Sequence, residues 1–333
     1  MKQTRWLPFA LILGACDSSV DRGPDPVATP EADPDPEPKP EPEPEPEPEP
    51  DPVSHLRFFG YVAVDCGWDD PHDSSTKSSY LDEVQDFTNL AHMCAYGHGD
   101  DLKARLDAMK AADVRPMLDV ASVFWEDVDP DPLVTNYDLA LDYADHWAAF
   151  VATNDLVARS SDLGAIYPVD EPMLNGVTFE ELETAVLLVD ATLPNVPILV
   201  VEAYSELAAL EVPSAVDWLG FDRYGVADVT QDPEFLADLA TLKSKRTRVD
   251  QRIVLVLEGQ HWPEYTDYGF PPAAMGGVAA SYYELAATDA DIVALLAYLW
   301  PGGLDGPTHL GTRDLPEEAL SVHRLIGATI TGK

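Results

Sequence analysis

Three observations predict an α/β fold, a (β/α)8 or TIM barrel, for residues 54–333 of this chain. Apolar, β-branched runs recur eight times from Leu56 onward, helical segments separate them, and no glycine-rich phosphate loop follows the first run. Near-continuous apolar runs are what a parallel sheet covered on both faces requires. An open doubly wound sheet is the alternative, but the first run ends in VDCGWDD, with acids where a phosphate site needs glycines and free amides.

The strands are predicted in order. RFFGYVAVD begins at Arg57, FTNLAHM at Phe87, RPMLDVAS at Arg115 and LGAIYPVDE at Leu163. PILVVEAY follows at Pro197, VDWLGFDRY at Val216, RIVLVLEG at Arg252 and IVALLAYLW at Ile292. Helices are expected where apolar residues recur three and four apart: from Asp101, Phe179, Pro233, Ala273 and Leu315. Acids in the first turn after Phe179 and the proline at 233 both suit helix starts.

The amino terminus has a different character. Lys2 and Arg5 precede an apolar run from Trp6 to Leu13, and Gly14-Ala15-Cys16 follows. This pattern is an export signal, too short to span a membrane as an ordinary helix. LGAC resembles the lipobox of bacterial lipoproteins, so residues 1–16 are expected to be a signal peptide and Cys16 its lipidated cysteine. An ordinary secretory signal with an incidental cysteine is the alternative. Residues 17–53, centred on PDPEPKPEPEPEPEPEPDP, hold alternating prolines and acids that can form neither core nor helix. They are expected to be a disordered tether that extends at most on the order of 100 Å, at about 3.1 Å per residue.

The whole chain has a formal charge of −40, and its acidic excess continues into the folded part and would repel phosphate backbones, so nucleic acid is not an expected partner. Beyond Cys16 only Cys66 and Cys94 remain. Both lie just past the first two strands, in a chain expected to be exported, so a bridge between them and two unpaired thiols are both open.

In a barrel, chemistry sits where strands end and loops begin. Strand one delivers Asp65 and Trp68 to that rim, strand two His92, strand three Trp125 and strand four Asp170 and Glu171. Strand five brings Glu202 and Tyr204, and strand six Asp222 and Tyr224. Strand seven brings Glu258, His261 and Trp262, and strand eight Tyr298 and Trp300. Asp119, inside strand three, reads as a buried structural acid. Acids with flat rings suit sugars, whose apolar faces stack on aromatics and whose hydroxyls bond carboxylates. Neither the Arg/Lys cluster of phosphate chemistry nor a tight metal-ligand spacing is present. The His92, Cys94, His98 and Asp100 set reads as an ordinary loop.

Four of these strand ends carry a resemblance. DEP at Asp170–Pro172, GFDRYG at Gly220–Gly225, LEG at Leu257–Gly259 and YLWPGG at Tyr298–Gly303 occur in the strand order of the clan A glycoside hydrolases. The chain resembles that clan over Leu56 to Thr331. The resemblance implies that Glu171 is the acid/base, Glu258 the nucleophile, Tyr224 a hydroxyl bonded to the nucleophile, and Trp300 the floor of a sugar subsite. It also implies retention of configuration by double displacement. In one respect the chain departs from the clan: asparagine normally precedes the acid/base, and here Asp170 stands there, an acceptor when ionised.

The expected function is therefore a retaining glycoside hydrolase acting on a poly- or oligosaccharide. The remaining rim residues would contact substrate, with no cofactor, no metal, and a monomer held to a bacterial membrane, on its periplasmic face or the cell surface, by lipid alone. A surface-tethered glycan-binding barrel without turnover is the alternative from a different class.

Overall fold

The computed structural model describes residues 55–131 and 134–333. The signal, Cys16 and the segment 17–53 lie outside the described residues. Eight parallel strands form one sheet: β1 (Phe58–Asp65), β2 (Leu90–Cys94), β3 (Arg115–Asp119), β4 (Ala165–Tyr167), β5 (Leu199–Ala203), β6 (Trp218–Asp222), β7 (Arg252–Glu258) and β8 (Ile292–Tyr298). Each predicted run supplies one of them. Neighbours run β4-β3-β2-β1-β8-β7-β6-β5. The two ends meet through single bridges, Ile166 with Ile198 and Asp170 with Val201, which close the barrel.

Six helices of eight or more residues cover the described barrel: α1 (Lys103–Ala111), α2 (Tyr143–Thr153), α3 (Phe179–Thr192), α4 (Pro233–Ser244), α5 (Met275–Thr288) and α6 (Glu317–Thr331). Local chemistry starts two of them. Thr178 and Glu181 form a reciprocal capping box on α3, and Asp232 accepts from Glu234 and Phe235 N–H ahead of Pro233 on α4. The periodic reading of the sequence omits α2, although Trp147, Phe150 and Val151 give it a buried helical face. A short antiparallel ribbon, Trp125–Asp127 with Tyr137–Leu139, precedes α2 and interrupts the strand-then-helix rhythm there.

The core has two layers. Inside the barrel, Leu90, Met117, Leu199, Val254, Val256 and Leu296 fill the centre, and the Phe58 and Trp218 rings pack 5.2 Å apart. Outward-facing residues of the same strands meet the helices. Phe59 and Tyr61 of β1 face α6, where a side chain at Gly327 would lie 2.3 Å from the Phe87 carbonyl.

Behind β1, Tyr61 and His323 of α6 share a 3.1 Å hydrogen bond, and both are fully buried. Burial lowers the His323 pKa from 6.5 to about 4. The folded state therefore keeps this ring neutral where the unfolded chain has already protonated it. Its contribution is complete above about pH 6.5 and is lost as pH falls toward 4, a loss of about 3 kcal/mol over that window. Urea unfolding of wild type and His323→Phe at pH 7 and pH 4.5 measures this. The stability difference between the two proteins shifts toward the variant at the lower pH, and a pH-independent difference contradicts the account.

Candidate active site

The carboxyl ends of the strands surround a cavity of about 80 Å³ lined by Asp119, Asp170, Asp222 and His92 together with Tyr167, Tyr224 and Tyr298. Among the described residues no lysine or arginine lines it. The Ala63 N–H donates to His92 Nδ1 at 3.2 Å, so Nε2 carries the proton toward Asp119 Oδ2 at 3.3 Å. Asp119 also accepts from the Ala121 N–H at 2.9 Å. The acid read as structural thus orients a histidine of the cavity wall.

The Asp170–Glu171 pair stands where β4 closes on β5. The Glu171 N–H donates to the Val201 carbonyl at 3.0 Å. Glu171 has φ 43°, a left-handed conformation uncommon for a residue with a side chain. Such a backbone costs about 1–3 kcal/mol and persists only where its surroundings fix it. Those surroundings are visible. Glu202, fully buried at the end of β5, accepts N–H bonds from Met173 at 2.8 Å, Leu174 at 3.4 Å and Ala203 at 3.0 Å. Asn175 Nδ2 donates to the Asp170 carbonyl at 2.9 Å. Glu202, expected to contact substrate, instead has both oxygens committed to holding the loop that carries Glu171. Burial raises its carboxyl to about 7 against the pull of those donors.

Burial, then the neighbouring charges of Asp222 and Asp170, drives the Glu171 pKa far above the usual carboxyl range. Glu171 and Asp222 share a hydrogen bond, and Asp222 is itself raised by burial and by Asp170. Asp170 accepts from the Tyr167 hydroxyl, while burial and Asp119 push its pKa up. Ringed by protein, its surface is nevertheless open to the cavity. Three crowded carboxyls with no lysine or arginine among the residues beside them cannot all ionise, and Glu171 holds its proton most firmly.

Glu258 ends β7, only 2% exposed. The Gly225 N–H donates to its Oε2 at 2.7 Å, and the Tyr265 hydroxyl donates to Oε1. Burial raises its pKa to about 7 and these donors oppose the rise. The hydroxyl expected from Tyr224 is thus supplied by Tyr265, on the short helix Pro263–Asp267. Tyr224 turns to Asp222 at 3.3 Å and stacks on Tyr298 with ring centres 5.5 Å apart. The sequence reading missed Tyr265; its place seven residues past Glu258 was the one signal available. Neither Glu171 nor Glu258 is among the residues that line the mouth; Glu258 lines instead a second cavity of about 550 Å³, walled by Trp262, Tyr265 and Phe270.

Several expected rim residues lie elsewhere. Trp300 is 2% exposed and packs behind β1, its ring 4.7 Å from Tyr61, with Nε1 donating to Glu83 at 2.7 Å. It floors no subsite, because the carboxylate that satisfies its N–H lies outside the barrel. Asp65 is buried against Arg105 of α1 at 2.8 Å. A register shift between Tyr61 and Asp65, with Ala63 at φ 60°, breaks the strand's alternation just before it. Trp125 is buried and donates to the Pro168 carbonyl, and half-buried Trp68 donates to the Gly302 carbonyl. His261 is buried with Nε2 bonded to the Phe270 carbonyl, fixing the loop after β7. Tyr204 is exposed beneath the Arg223 guanidinium, 4.8 Å from its ring. Tyr298 lines the mouth and donates to Asp305 at 2.8 Å. Cys66 and Cys94 are joined in a disulfide, with Cα atoms 4.7 Å apart. Their sulfurs come within 4.8 Å of a His92 nitrogen, but as a disulfide they offer no thiolate to a metal.

No protein-family model matches the chain, and no curated protein matches it in sequence. Solved structures do share its backbone. A glucosidase from Croceicoccus marinus superposes with TM-score 0.54 at 12% identity, covering 83% of this chain and 68% of that one. Xylanase 10B from Thermotoga maritima gives 0.52 at 12%, covering 82% and 95%. A GH113 β-1,4-mannanase gives 0.51 at 10%, covering 83% and 98%. At such identities the likeness carries the fold: this chain is a (β/α)8 barrel of the kind on which those glycoside hydrolases are built.

Exchanging each tyrosine for phenylalanine separates their roles. Tyr265→Phe removes a donor that favours the Glu258 anion, so the Glu258 pKa rises by on the order of one unit above its starting value. Tyr224→Phe leaves it in place. Carboxyl carbon NMR titration reads both, and an unmoved Glu258 in Tyr265→Phe contradicts the assignment.

Proposed function

We propose that this barrel is a retaining glycoside hydrolase acting on a poly- or oligosaccharide. The observation that carries the reading is the unequal state of two carboxyls at the ends of β4 and β7. Glu171 is held protonated by burial among acids, while Glu258 titrates near neutrality with its anion met by an N–H and an O–H. Glycosidic cleavage needs such a pair, one group giving a proton and the other presenting an anion.

In the first step a Glu258 oxygen bonds the anomeric carbon as the bond to the leaving oxygen breaks, and Glu171 passes its proton to that oxygen. In the second step Glu171, now a carboxylate, takes a proton from water as the water oxygen attacks the same carbon and Glu258 departs. Asp222 and Asp170 assist by keeping a proton on Glu171 between turnovers. Sugar hydroxyls would meet Asp119, Asp170, Tyr167 and Tyr298 in the mouth. We further propose that residues 1–16 export the chain, that Cys16 anchors it by lipid, and that residues 17–53 hold the barrel away from the membrane.

One observation favours the second reading, a glycan-binding barrel without turnover. Both Glu258 oxygens are engaged by the protein, and the side chain is 2% exposed. A panel of polysaccharides and aryl glycosides, tested with wild type, Glu171→Gln and Glu258→Gln, decides between them. Hydrolysis with retention by NMR and losses of at least about 10²-fold in either variant support the enzyme. Binding with no hydrolysis by wild type supports the other reading, and activity that survives Glu258→Gln overturns its assignment as nucleophile.

The two pKa shifts also set a pH profile. As pH rises, kcat/KM climbs through about 7 as Glu258 ionises, then falls at higher pH as Glu171 loses its proton. A maximum below pH 6 contradicts these roles.

A further inference from the structure

The side chains that line the barrel mouth have already given their protons away. Tyr167 donates to Asp170, Tyr224 to Asp222 at 3.3 Å, Tyr298 to Asp305 at 2.8 Å, and His92 Nε2 to Asp119 at 3.3 Å. What remains to these side chains is lone pairs. The rest of the lining is Val62, Met117, Val201, Val256 and Leu296, none of which carries an N–H or O–H on its side chain.

Charge in the mouth is one-sided as well. Asp119, Asp170 and Asp222 line it, and among the described residues no lysine or arginine does. His92 brings no positive charge, since its Nδ1 accepts the Ala63 N–H. Whatever proton a carboxyl here retains, it retains for want of a counter-charge. The acidic excess of the whole chain acts in the same sense from a distance, drawing cations in and turning anions away.

A neutral sugar fits such a wall poorly. Each of its hydroxyls both gives and accepts a hydrogen bond, and here the accepting side goes unmet. A protonated amine is the complement: three N–H donors, no acceptor, and the charge that the wall lacks. In a space of about 80 Å³ one amine meets several of these acids together. Asp222 ties that space to the proposed chemistry, because it shares a hydrogen bond with Glu171. We infer that the substrate is a glycan of amino sugars with free, protonated amines, one of which enters the mouth against Asp170, with Asp119 and Asp222 around it. Turnover of that glycan rests on the glycosidase reading; its binding does not.

Calorimetry on the full chain, at a pH where the amine is protonated, compares the methyl glycosides of glucosamine, N-acetylglucosamine and glucose. Spermidine serves as an amine without a sugar. The glucosamine glycoside is expected to bind about ten-fold or more tightly than the glucose one, as a hydrogen bond to a charged group implies. The N-acetyl compound loses that advantage together with its charge. Asp170→Asn is expected to cut the glucosamine preference by about five-fold or more while circular dichroism reports an intact fold. Where that variant does not fold, Asp119→Asn takes its place with the same expectation. Absent glucosamine binding, or equal affinity for glucosamine and glucose in wild type, overturns the inference. A preference unchanged in the folded variant does so too, as does spermidine binding as tightly as the glycoside. Failure of the glycosidase reading is distinct: glucosamine preference in binding with no hydrolysis of glucosamine oligosaccharides. Hydrolysis of neutral oligosaccharides without that preference sinks the amino-sugar inference alone.

Discussion

The hydrogen bond from the Glu171 N–H to the Val201 carbonyl joins β4 to β5 at the mouth, where β4 itself is only three residues long. A sheet of eight strands with one weak seam stays closed only if side chains reinforce that seam. Glu202 does so by accepting three N–H groups, two of them from the loop that leaves β4. The left-handed backbone of Glu171 follows from this geometry, since the chain must pair with β5 and turn outward within one residue. Closure of the barrel and placement of the Glu171 carboxyl, the proposed proton donor, are therefore one structural event. A change that loosens the seam moves the carboxyl as well.

That event also fixes the electrostatics. Closing β4 on β5 brings Asp170 and Glu171 toward Asp222, in a mouth that no lysine or arginine among the described residues lines. Like charges at this spacing cannot all ionise, so the group buried among them keeps its proton. Glu258 is spared the crowding, since Gly225 and Tyr265 draw it toward the other cavity. Distinct surroundings, rather than distinct residue types, set these two glutamates apart.

The eight strands were legible because parallel strands buried on both faces must be written as continuous apolar runs. The acids ending β4, β6 and β7 were legible for a related reason: a charge closing such a run is costly unless it has a task. What failed depended on tertiary detail. Asp65, expected at the rim because it ends strand one, turns to Arg105 past a bulge at Ala63, and a bulge at a non-glycine residue leaves no mark in composition. Trp300 was assigned there by likeness, but Glu83, distant in sequence, holds its N–H outside the barrel. Tyr265 went unseen because it reaches Glu258 from a loop helix, where no strand period applies. Periodicity locates a strand's end; it does not say which way the chain turns after it.

Asp170 shows what the structure adds to one residue. By resemblance it replaces an asparagine that would offer an amide N–H, and a carboxylate cannot do that. Tyr167 donates to Oδ1, which orients the group and favours its anion, while burial and Asp119 press the other way. Ionised, it presents acceptors only, and its open surface faces the cavity. On the proposed reading a sugar hydroxyl beside it acts as the donor, since the Tyr224 and Tyr298 hydroxyls of the same wall already give their protons to Asp222 and Asp305. An Asp170→Asn exchange would reverse that polarity and would also remove one of the charges that keep Glu171 protonated. On the proposed reading the same aspartate couples recognition of the sugar to the protonation of Glu171, which an asparagine in its place would leave independent.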